Sequence, residues 1–231
     1  TGVSESRAKE RLQAVKFELE TNEILLDIFG DQVGDTWSET KIVLKNGVCI
    51  QALGRDQSMR GTKHLDARPD FLLMDDIEDK VSCATPEARQ KLMSHYAGVM
   101  IPSLTPPGTF KVRMTATPLD FEAMAVKFAK SPTWVTRRYP VKHIDTEASA
   151  RSNSKIYKAS WPERFPLDEI EKLEQQFRAN GQATDFAREY MLEVMAEEDM
   201  QFKPEYIKIQ PMRRTFHATY AVYDPARTTN E

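Results

Sequence analysis

Long apolar runs are missing from this 231-residue sequence. No stretch approaches the ~20 consecutive apolar residues that a membrane helix needs, and the N-terminal "TGVSESRAKERL" has no signal-peptide hydrophobic region. A soluble, cytosolic chain without a membrane partner is expected. Cysteine is scarce as well. Cys49 and Cys83 lie far apart with no Cys-x-x-Cys, and His64, His95, His143 and His217 are scattered without metal-ligand spacing. This excludes a disulfide-stapled scaffold and a Cys/His zinc module. There is no surplus of positive charge: the formal net charge is −3, so contact with nucleic acid has to come from local patches rather than a global field. No G-x-x-x-x-G-K-[ST] occurs, so a complete phosphate-cradling loop is excluded within these residues. What is present is enough apolar material, 40% of the chain, for a substantial core. The first residue is Thr, and the sequence stops abruptly after "YAVYDPARTTNE"; a segment of something longer is expected.

From Ser4 onward, Ala8, Leu12, Val15 and Leu19 recur at helical spacing and predict one long amphipathic helix, ending where Gly30 and Gly34 break the pattern. β-Branched runs either side of Asn46-Gly47 predict a hairpin from about Lys41 to Leu53. "FLLM" (Phe71 to Met74) is apolar at every position, the pattern of an interior parallel strand covered on both faces. A helix opening at Pro86, a strand in "TFKVRMTATP" and a helix in "DFEAMAVKFAKS" follow. Strand, helix, strand and helix in this order imply right-handed parallel crossovers in an open α/β sheet. After Trp134 the texture turns polar, predicting a domain margin, then a strand and a loop. "SWPERFP" introduces two further helices, with Trp161 read as an anchor onto the core, and "HATYAVYDPA" alternates into a strand ending at Asp224.

The chemistry concentrates in "RPDFLLMDDIED" (Arg68 to Asp79), where a greasy strand runs into paired carboxylates. Ligands of open α/β sheets gather at the carboxyl ends of strands. Side chains alternate along a strand, so Asp75 and Asp76 point to different sides: one can hold Mg²⁺ while the other orients or deprotonates a water attacking a phosphate. The same pair also serves well as an ordinary helix or turn cap. "TATP" (Thr115 to Pro118) closes the next predicted strand and places small hydroxyls beside the carboxylates; a plain Thr-rich strand exit reads the same way. Arg60 and Gly61 precede the acidic strand, either as a surface arginine beside a turn or as a cation for a phosphoryl group. "RRYPVKH" (Arg137 to His143) and Arg213-Arg214 are local basic clusters, solvated faces or trackers of phosphate.

"MRG" (Met59 to Gly61), "RPDFLLMDDIED", "MTATPL", "SWPERFP", "FAREYML" and "AVYDPA" occur in the order found in the large terminase subunits of tailed bacteriophages, and the chain resembles that family over nearly its whole length. The resemblance implies an α/β fold with a P-loop NTPase-type parallel sheet and flanking helices. Residues 1–140 would be the C-terminal part of a packaging ATPase domain and 141–210 a small helical linker subdomain. Residues 211–231 would open an RNase H-like nuclease domain. It implies ATP hydrolysis driving double-stranded DNA into a procapsid, coupled to endonucleolytic cutting. Asp75 is then the Mg²⁺ ligand, Asp76 or Glu78 the catalytic carboxylate and Arg60 an arginine reaching a neighbour's ATP. Thr115, Ala116 and Thr117 form the coupling motif, and Asp224 is a nuclease ligand for Mg²⁺ or Mn²⁺. Arg137, Arg138 and Lys142 are DNA contacts. A portal protein, a small terminase subunit and a homo-oligomeric, pentameric ring are the implied partners, in the cytoplasm of an infected host. Two departures stand out: Asp76 sits where a Glu is common, and the phosphate-cradling loop is expected before residue 1, so the segment alone should not bind ATP tightly. A superfamily-2 helicase-like translocase shares the acidic and Thr-Ala-Thr strand ends but needs a second motor lobe. A non-catalytic prophage remnant or portal-binding scaffold fits the absent loop.

Overall fold

The computed structural model describes residues 1–152 and 154–194. They belong to one compact unit. The architecture of the described part is mixed α/β with three small sheets.

The Ser4 hydroxyl accepts the Arg7 N–H and starts α1 (Glu5–Thr21). The single long helix expected from periodicity is broken by Asn22. Its side chain accepts the N–H groups of Ile24 and Leu25, which starts α2 (Glu23–Phe29) one residue after α1 ends. Asn competes with the helix through this local bond, and a hydrophobic pattern does not register the competition.

Strands β1 (Val33–Trp37), β2 (Lys41–Leu44) and β3 (Cys49–Gln51) form an antiparallel sheet in that order. The β2–β3 hairpin turns at Asn46-Gly47, where Gly47 has φ 88°, as the dipeptide requires. β1 is an addition to the predicted hairpin. It approaches β2 so closely at Gly34 that a Cβ there would lie 2.2 Å from the Val43 carbonyl oxygen. The sheet packs on α1 through Ala8, Leu12, Ile42 and Ala52.

β4 (Phe71–Asp75) and β5 (Lys111–Thr115) pair in parallel, with Asp75 opposite Thr115. Between them run α3 (Lys80–Cys83), α4 (Pro86–His95), a π turn over Tyr96–Met100 and a 3-10 turn over Ile101–Ser103; Pro86 occupies the first turn of α4 as expected. α5 (Met124–Lys130) follows β5. Leu72 and Met74 face the main core with Met59, Ile77, Leu92, Met100, Leu104 and Met124. Two-sided coverage of "FLLM" is not realised: Phe71 and Leu73, on the other face, stay 51% and 45% exposed. The sheet here has two strands plus a bridge to Gly2, too narrow to be covered on both sides.

The region expected as strand and loop is a β–α–β unit: β6 (Lys142–Ile144), α6 (Thr146–Ser152) and β7 (Tyr157–Ala159), with β6 and β7 antiparallel. Helices α7 (Leu167–Ala179) and α8 (Ala183–Glu189) complete the described chain. Phe177, Phe186 and Tyr190 cluster between them. Trp161 is not the predicted anchor; it is half exposed beneath the Arg164 guanidinium.

Candidate functional site

β4 and β5 end side by side, and this brings together the carboxylate pair and the Thr-Ala-Thr turn. The Thr115 hydroxyl donates to one Asp75 oxygen. Arg11, reaching across from α1, donates its Nε–H to the other at 2.7 Å. The Asp76 N–H donates to the Thr115 carbonyl at 3.0 Å, locking the two strand ends together one residue beyond the ladder. Asp76 then adopts φ 44°, a left-handed conformation uncommon outside glycine and tolerated best by Asn and Asp. Directly after this reversal Ile77 enters the core.

The pair is electrostatically divided. Burial pushes the Asp75 carboxyl up, but the Thr115 hydroxyl and the Arg11 guanidinium outweigh it and hold the group below the usual carboxylate range. Asp76 moves the opposite way: partial burial and the neighbouring Asp75 charge raise it, with Glu189 adding to the repulsion. Two carboxylates pushed apart in acidity are suited to different tasks, one as a permanent anion and one as a proton carrier. The positive charge facing Asp75 in this structure comes from Arg11, with a smaller contribution from the Thr1 ammonium.

Glu78 is taken out of the contest. It is buried, and its two oxygens accept the N–H groups of Met124 at 2.6 Å and Ala125 at 2.8 Å, so it caps the start of α5. Cys83 lies against the same carboxylate, and burial together with the Glu78 charge pushes its thiol up to about 12, so it is no nucleophile. Asp79 caps α3 through Ser82, and Arg55 holds this loop from beneath by donating to the Ile77 carbonyl and to Asp79.

Beyond Asp76 opens a cavity of about 250 Å³ lined by Asp79, Lys80, Ala116, Thr117 and Glu189. Asp76, Asp79 and Glu189 bring carboxylates to it, beside Lys80 and the apolar Ala116 and Leu119. The described residues hold no group of three or more His, Cys, Asp or Glu able to cage a metal ion. Asp75 with the Thr115 hydroxyl offers a small oxygen set that suits Mg²⁺ retaining most of its ligands as water and phosphate oxygens. To reach Asp75 such an ion has to displace Arg11.

Other predicted residues fall elsewhere. Arg60 donates to the Gly98 carbonyl at 3.3 Å rather than to the carboxylate pair. Arg137 and Arg138 are exposed. Lys142 is buried and ion-paired with Glu174 beside the Tyr157 ring, which removes it from any DNA-facing surface. Asp224, Arg213 and Arg214 lie outside the described residues. Sequence reasoning missed Arg11, Arg55 and Glu189, which come from distant segments and carry no motif. No family model matches the chain, and no curated protein matches it either.

Proposed function

We propose that the described residues form the acidic half of a nucleotide-hydrolysing motor site of the P-loop type, in a protein resembling the large terminase subunits of tailed phages. The observation that carries this reading is the Asp75–Thr115 pair: an aspartate and a threonine at opposed positions of two parallel strands, hydrogen-bonded, with Asp76 turned out beside them. Asp75 would hold Mg²⁺ with water and phosphate oxygens completing its shell. Asp76, with a raised pKa and an exposed carboxyl, is suited to orient and take a proton from an attacking water. Glu78 is a structural cap in this reading. The carboxylates of Asp76, Asp79 and Glu189 beside this cavity repel a triphosphate, so phosphate grip has to come from a loop that these residues do not contain. A bound metal would supply charge neutralisation between the carboxylate and the phosphates.

Double-stranded DNA, a portal, a small subunit, ring assembly and the nuclease activity through Asp224 follow from the sequence resemblance and belong to the same proposal. The test is made in the complete packaging protein. Asp75→Ala and Asp76→Asn are each expected to lower ATP hydrolysis by about 100-fold or more, whereas Glu78→Gln should retain hydrolysis once corrected for folded fraction. Activity surviving Asp76→Asn but lost with Glu78→Gln would reverse the assignment, and activity surviving Asp75→Ala would end it.

A further inference from the structure

The two side-chain donors that meet Asp75 differ in kind. The Thr115 hydroxyl donates to Oδ1, and the Arg11 Nε–H donates to Oδ2 at 2.7 Å. A hydroxyl keeps lone pairs while it donates, so it can turn and share the carboxylate with a cation. A guanidinium has no acceptor and stays charged, so it competes with a cation for the same oxygen. Between these two donors, Arg11 decides whether Asp75 is open.

The backbone fixes where Arg11 stands, yet its bond is easily broken. The Asp75 N–H donates to the Thr1 carbonyl at 2.8 Å and Gly2 bridges to Asp75, so the chain entering α1 is registered against the tip of β4. Ala8 and Leu12 are buried and set the rotation of α1. Arg11, three positions after Ala8, emerges on the flank that reaches Asp75. Its side chain is 67% exposed, against 26% for that of Asp75. A pair at the rim is weakly held and can exchange partners, whereas breaking a desolvated pair would leave a buried charge uncompensated. Asp75 is the one carboxylate that Arg11 pairs with among the described residues. We infer that Arg11 is a latch on the metal-binding carboxylate: it keeps a bare divalent cation off Asp75 and swings into solvent when one binds. The latch rests on the reading of Asp75 as the Mg²⁺ ligand and adds that a residue of the chain itself closes the empty site. Arg11 acts through Asp75 and is a positioning residue.

The test uses the full chain and Mn²⁺ alone, with free ion followed by electron paramagnetic resonance. Asp75→Asn, made in each background, subtracts ions bound elsewhere. Arg11→Ala should tighten the Asp75-dependent site by about 3- to 10-fold, because a competing bond and a repelling unit charge are both removed. Arg7→Ala takes the same charge from the same helix, but from a pair with Glu10, and should leave the affinity at the parent value. In the unmutated chain, titration with Mg²⁺ should move the Arg11 Nε–H resonance, and Asp75→Asn should abolish that movement. Equal Asp75-dependent affinity in the parent and Arg11→Ala, or an equal gain in Arg7→Ala, overturns the latch while leaving Asp75 as a metal ligand. An Arg11 resonance that stays put while Asp75 binds the ion does the same. Binding that is indifferent to Asp75→Asn in both backgrounds, or absent from all of them, overturns the metal reading itself and the latch with it.

Discussion

Arg11 shows how much of the site's electrostatics depends on one exposed side chain. Its partner Asp75 has a folded-state pKa below the ordinary carboxylate value, so the pair's contribution is complete above that value and is lost as pH falls through the lowered one. Arg11→Ala should therefore destabilise the chain by about 0.5 kcal/mol at neutral pH, the size expected for a solvent-screened pair. The gap from the parent should close below about pH 4. Urea titrations across that range check it, and a gap independent of pH would show that Arg11 acts by packing alone. Glu78 makes the opposite case of a buried carboxylate with two backbone donors. Glu78→Ala leaves the Met124 and Ala125 N–H groups without their acceptor and should cost on the order of 3 kcal/mol. Thermal unfolding should then fall by roughly 6–12 °C; an unchanged midpoint would return Glu78 to the list of free carboxylates.

At the scale of elements, the α1–α2 junction depends on a single side chain. Asn22 closes one helix and opens the next, and its carbonyl oxygen serves two N–H groups at the start of α2. Asn22→Ala should cost about 1 kcal/mol, the usual value of an N-cap. Amide exchange should accelerate selectively over residues 24–29; protection retained there would mean that packing rather than the cap holds α2. The hairpin was legible because Asn46-Gly47 encodes a backbone conformation locally. β1 was not, because its pairing depends on Gly34 meeting the Val43 carbonyl, a contact between residues that no short pattern links.

At the scale of the molecule, the β4–β5 sheet is one-sided. Leu72, Met74, Val112 and Met114 face the core, while Phe71, Leu73, Lys111 and Arg113 face outward. Neighbouring residues of one strand should therefore respond very differently. Leu73→Thr is expected to stay within about 0.5 kcal/mol of the parent, whereas Met74→Ala, at a fully buried position, should cost about 2–5 kcal/mol. Denaturant midpoints for the two variants check this, and equal losses would show that both faces are covered in solution. Parallel sheets are ordinarily buried on both sides, so an apolar run gives no hint that one face lies open.

The sequence by itself determined the carboxylate-tipped strand, the parallel strand opposite it and the helices around Pro86 and Ala125, because these rest on local periodicity and on residues with fixed backbone preferences. It also placed Asp75, Asp76 and Thr115 at strand ends. Only the tertiary structure decided what each group does there. Arg11 neutralises Asp75 from a helix more than sixty residues away, Glu78 is spent on capping α5, and Lys142 is buried against Glu174. Those outcomes depend on distance and desolvation between segments remote in sequence, which no reading of neighbours along the chain can supply.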